Sequence, residues 1–63
     1  MKINIGDILV TQNKNSVLIT DIKHNGMLRG IYSGETDVRN VGFEANIIQM
    51  IKYNRWKHYP VKK

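Results

Sequence analysis

Ser16-Val17-Leu18-Ile19-Thr20-Asp21-Ile22-Lys23-His24-Asn25-Gly26-Met27-Leu28-Arg29-Gly30-Ile31-Tyr32-Ser33 decides the fold class. Two runs rich in β-branched and aromatic side chains flank Asn25-Gly26, the strongest short-range hairpin signal, because a type I′ turn needs positive φ at both central residues. The spacing predicts strands over Ser16 to His24 and Met27 to Ser33, joined by a two-residue loop. His24 then faces Met27, Ile22 faces Arg29, Thr20 faces Ile31 and Ile19 faces Tyr32. Neither face is apolar along its whole length. Gly30 lies in the middle of the second strand, where glycine commonly marks a bulge or sharp bend, so the pair is expected to curl.

The flanking chain extends the pattern. Gly6-Asp7 precedes Ile8-Leu9-Val10-Thr11, which reads as a turn feeding a first strand. Asn13-Lys14-Asn15-Ser16 is turn chemistry, since Asn and Ser hydrogen-bond their own backbone and Asn tolerates positive φ. Ser33-Gly34-Glu35-Thr36-Asp37 reads as a polar loop, and Val38 to Glu44 as a fourth strand with Val41 and Phe43 on one face. Asn46 to Lys52 carries Ile47, Ile48, Met50 and Ile51 and fits a strand or a turn of helix. Its shortness and its isoleucines favour a fifth strand. Tyr53, Trp56 and Tyr59 recur every third residue, which predicts a short helical or 3₁₀ turn ending before Pro60.

Charge is unevenly placed. Up to residue 49, Lys2, Lys14, Lys23, Arg29 and Arg39 balance Asp7, Asp21, Glu35, Asp37 and Glu44, so the net +5 sits in Lys52, Arg55, Lys57, Lys62 and Lys63. Tyr53, Trp56 and Tyr59 interleave with those cations. A basic, aromatic-studded segment suits phosphate contacts and base stacking. The blander alternative is a solvated terminal tail in which Trp56 closes the core, and a core plug is the favoured role for Trp56.

At 63 residues the chain is one small domain that buries only about 60% of its unfolded surface. Without cysteine there are no disulfides to reinforce it, so self-association as a homo-oligomer is expected. No apolar export segment follows Met1-Lys2, and the apolar runs Ile8-Leu9-Val10 and Val17-Leu18-Ile19 are far shorter than the ~20 residues of a membrane-spanning helix. A soluble, cytoplasmic protein with no membrane partner is the expectation.

Ile5-Gly6-Asp7-Ile8-Leu9-Val10, followed by the Asn25-Gly26 hairpin and Gly30, resembles the five-stranded SH3-like barrels of the KOW type found in ribosomal and transcription-factor modules. The resemblance implies a small β-barrel over residues 1–52, binding protein or nucleic acid through its loops and an exposed sheet face. Residues 53–63 then form a basic aromatic segment packed on the barrel or extending from it. The chain is also similar to small phage proteins that bind host machinery or take up host signalling nucleotides.

Catalytic chemistry is sparse. Ser16 and Ser33 lack a nucleophile-elbow context, and neither G-x-x-x-x-G-K-[ST] nor G-x-G-x-x-G occurs. Glu35 and Asp37 read as solvated loop acids. His24 and His58 are too far apart in the chain for a typical paired zinc motif, so no metal or cofactor is expected. The expectation is therefore a non-enzymatic module binding nucleic acid or a nucleotide through Lys52, Arg55, Trp56, Lys57 and Tyr59, with support from Arg29 and Tyr32. The alternative is a phage-type homo-oligomer that sequesters a host signalling nucleotide or inhibits a host defence protein, with its basic tail set against an acidic protein surface.

Overall fold

Apolar residues at alternate positions give the sheet one dry face. The computed structural model describes residues 1–62, in the order β1 (Ile8–Val10), β2 (Ser16–Ile22), β3 (Met27–Tyr32), β4 (Arg39–Phe43), α1 (Glu44–Lys52) and β5 (Lys57–Tyr59). The strands lie side by side as β4-β3-β2-β1-β5, each neighbouring pair antiparallel. The protein is therefore mainly β, one five-stranded sheet with a short helix. The sheet is not closed, since β4 and β5 form its two edges.

The inner face carries Leu9, Val17, Ile19 and Leu28, which form the buried core with Ile3 and with Ile47 of the helix. The expected strand over Asn46 to Lys52 is corrected to the C-terminal part of α1. Extending the window back to Glu44 exposes the reason. Glu44, Ile47, Ile48 and Ile51 follow helical spacing, and burying Ile47, with Ile48 and Ile51 packed beside it, outweighs isoleucine's modest helix propensity. Glu44 also accepts a hydrogen bond at Oε2 from the Ile3 N–H at 3.1 Å, which ties the N-terminal segment to the helix.

The fifth strand is Lys57–Tyr59, so the helical or 3₁₀ turn expected over Tyr53 to Tyr59 is also corrected. Asn54 adopts φ 61° and ends α1. Its N–H donates to the Ile51 carbonyl at 3.0 Å, and the Arg55 N–H donates to Met50 at 2.9 Å, the paired bonds of a Schellman cap. The cap turns the chain back, and β5 pairs along β1 with Tyr59 opposite Ile8, His58 opposite Leu9 and Lys57 opposite Val10.

The central hairpin forms between the expected runs but in a different register. Its loop has three residues, His24, Asn25 and Gly26, because the Lys23 N–H donates to Met27 and the Gly26 N–H to Lys23, both at 2.9 Å. Of the loop residues only Gly26, at φ 89°, is left-handed, which is a type I turn closed by a glycine bulge rather than type I′. Ile22 consequently faces Leu28 and not Arg29, so two apolar side chains meet. Thr20 is an extra residue in β2 between the pairs Ile19 with Gly30 and Asp21 with Arg29. The irregularity expected at Gly30 is found as that bulge in the partner strand, and Gly30 itself is required by a close approach. A Cβ on Gly30 would overlap the Leu18 carbonyl oxygen and lie 2.9 Å from Val17 Cγ2.

Candidate functional site

A cleft of about 390 Å³ opens where the β1–β2 loop meets the chain leaving the helix cap. Its walls are Val10, Thr11, Gln12 and Lys14 on one side and Asn54, Arg55, Lys57 and Tyr59 on the other. Each wall follows from local structure. The Lys14 N–H donates to Thr11 and the Thr11 N–H to Asn15, both at 2.9 Å, which leaves Lys14 left-handed at φ 65° at the end of a tight turn. Opposite it, the Schellman cap projects Arg55. Alternation along β5 turns the largely buried His58 inward and leaves Lys57 and Tyr59 exposed on the outer face.

The electrostatics are one-sided. Lys14, Arg55 and Lys57 line the cleft, and no carboxylate of the described residues does. Among the described residues, the ion pairs are Arg29 with Asp21, Arg39 with Glu35 and His58 with Asp7, so none involves a cleft cation. With no acid among the described residues within pairing distance, the three positive fields add at the cleft, which is the condition for attracting an anion.

Asp7 holds this wall in place from behind. Fully buried, its carboxylate accepts hydrogen bonds from the Asn4 N–H at 2.9 Å and the Val61 N–H at 2.8 Å, and His58 Nε2 lies 2.7 Å from Oδ2. Burial pushes the carboxyl pKa upward. The hydrogen bonds from Asn4, Val61 and His58, with the positive charge available on His58, outweigh it and hold the group below the usual carboxylate value.

The residues singled out from sequence separate into two groups. Arg55, Lys57 and Tyr59 meet at the cleft. Lys52 is exposed in the last turn of α1 and does not line it. Trp56 is half-buried and packs against the core cluster. Arg29 and Tyr32 stand on β3, away from the cleft: Arg29 Nη1 lies 3.9 Å from Asp21, and the Tyr32 ring carries the Arg39 guanidinium 4.1 Å above its centre. Lys63, another of the tail cations, lies outside the described residues.

Lys14, Gln12 and Asn54 are the polar cleft residues, beside Thr11, that sequence reading missed. Lys14 was visible only as a turn residue in the neutral part of the chain, and nothing local links it to Arg55. Among the described residues, no group of three or more His, Asp or Glu side chains is placed to hold a metal ion, and no helix is long and apolar enough to cross a membrane. No family model, curated protein or solved structure matches the chain.

Proposed function

We propose that this protein is a non-enzymatic binding module for a phosphate-bearing ligand, a nucleic acid or nucleotide, held at the cleft between the β1–β2 loop and β5. The observation that carries this reading is the convergence of Lys14, Arg55 and Lys57 on one concavity that, among the described residues, no carboxylate lines. Tyr59 adds a half-exposed aromatic ring at its edge, suited to a base. Asn54 and Gln12 supply neutral donors and acceptors. The resemblance of Ile5-Gly6-Asp7-Ile8-Leu9-Val10 and the Asn25-Gly26 hairpin to SH3-like modules implies binding through loops and an exposed sheet face, in keeping with this reading.

Titration with an oligonucleotide across a range of salt concentrations tests the reading. Three cations neutralising phosphates of a single strand give a slope of log affinity against log salt of about −2. Replacing Arg55 and Lys57 by alanine should flatten it. Absence of binding to oligonucleotide and mononucleotide alike at low salt would overturn the proposal.

A further inference from the structure

The outer face of the sheet carries an apolar row that the fold leaves uncovered. Tyr59 pairs with Ile8, Ile8 with Leu18 and Leu18 with Ile31, so four side chains stand in register across β5, β1, β2 and β3. Tyr59 is 53% exposed, Ile8 43% and Leu18 45%. Ile8, Leu18 and Ile31 also line a shallow depression of about 170 Å³ rimmed by Ser16 and Ser33. The row spans three strand spacings, about 14 Å.

A cation stands at each end, unpaired at one and paired with an acid at the other. At one end Tyr59 belongs both to the row and to the cleft with Lys14, Arg55 and Lys57. At the other, Arg29 lies two residues from Ile31 on the same face of β3, and among the described residues its Nε is buried without a hydrogen-bond partner. Asp21, 3.9 Å from Nη1, offsets part of that charge, and an anion can reach the guanidinium only through the 31% of the side chain that is exposed.

Resting on the reading of the cleft as a phosphate site, we infer that the occupant is a short single-stranded oligonucleotide laid across this face. One phosphate sits in the cleft, the bases lie over Tyr59, Ile8 and Leu18, and a later phosphate reaches Arg29. The dimensions fit, since one base per strand at a spacing of about 4.8 Å lays about four nucleotides across the four strands. A single mononucleotide would fill the cleft and leave the row bare. An anionic lipid would satisfy the cleft, but its acyl chain would lie on an open face and find no anion for Arg29. A duplex hides its base faces and would not cover apolar side chains.

Fluorescence competition with thymidine monophosphate and with oligothymidylates of two, four and eight residues, at low salt on the full chain, tests this. Affinity should rise at least tenfold from monophosphate to tetranucleotide, as expected for stacking added base by base, and then level off. Leu18→Ser should lose about fivefold or more for the tetranucleotide with the monophosphate unchanged. Ile8→Thr, which keeps strand propensity, provides a second variant should Leu18→Ser unfold. Monophosphate binding as tight as tetranucleotide binding would overturn this inference while leaving the cleft reading intact. If neither binds, both fall. A dimer in sedimentation that Leu18→Ser splits, together with tetranucleotide binding that rises when the dimer dissociates, would assign the row to self-association and also overturn it.

Discussion

His58 Nε2 approaches Asp7 Oδ2 to 2.7 Å across 51 residues of chain, and it does so from the middle of the strand that displays Lys57 and Tyr59. One buried carboxylate thereby holds the N-terminal turn through Asn4, β5 through His58 and the following segment through Val61. The cleft's outer wall is thus an extension of the core, though its own residues are exposed.

Asp7 should make the domain acid-sensitive. Its folded-state carboxyl is held below the usual carboxylate range, so the ionised form contributes stability that is fully present above the unfolded value and lost as pH falls through the folded one. Urea midpoints should decline from about pH 4 downward. Asp7→Asn should remove this part of the acid limb and cost about 1–3 kcal/mol at neutral pH, because an amide cannot satisfy every donor around it. An acid limb of unchanged size in Asp7→Asn would place its origin elsewhere.

Two glycines should respond differently to alanine. At Gly26 a Cβ meets open space, so Gly26→Ala should cost only the left-handed backbone strain, about 1 kcal/mol. Gly30→Ala drives a methyl into the Leu18 carbonyl and should cost more, about 2–3 kcal/mol, as the two strands are forced apart. Denaturation midpoints of the two variants measure this directly, and equal losses would contradict the close approach at Gly30.

Lys14→Gly separates charge from folding. Lysine at φ 65° is strained and glycine is not, so the variant should be as stable as the parent or up to about 1 kcal/mol more stable. Its affinity for oligonucleotide should nevertheless fall, and the salt slope should shrink by about 0.7. A loss of affinity with an unchanged slope would mean that Lys14 does not reach a phosphate.

Trp56→Ala should be a folding mutation. The indole packs against the core beside the helix cap, and its truncation should cost about 2–4 kcal/mol, at the lower end of losses seen at buried aromatics because it is only half-buried. Calorimetry gives the loss. A domain that melts at the parent temperature but binds oligonucleotide more weakly would reassign Trp56 to the binding face.

Local chemistry was enough to read several elements. Asn25-Gly26 and the Asn13-to-Ser16 run marked the two loops because turn residues act over three or four positions, and Gly30 marked the irregularity because a missing Cβ is visible in any context. The hairpin register was not legible, since Asn25-Gly26 suits both a two-residue and a three-residue loop and only the pairing of Ile22 with Leu28 selects between them. The helix was hidden for a related reason. Over Asn46 to Lys52 the isoleucines match either period, and the choice falls to Glu44, whose carboxylate finds its partner in Ile3, far away in the chain.

Sequence by itself determined a small, cysteine-free, mainly β chain whose excess positive charge gathers near Arg55 and Lys57, because composition and short-range pattern are properties of neighbouring residues. The tertiary structure alone decided that Lys14 joins those cations and that Lys52, Arg29 and Tyr32 do not line the cleft. It also set Tyr59 in line with Ile8, Leu18 and Ile31. The physical reason is the pairing of β5 with β1. That pairing rests on a local Schellman cap at Asn54, which turns the chain back, and on a buried carboxylate at Asp7, which acts between residues brought together only when the sheet forms.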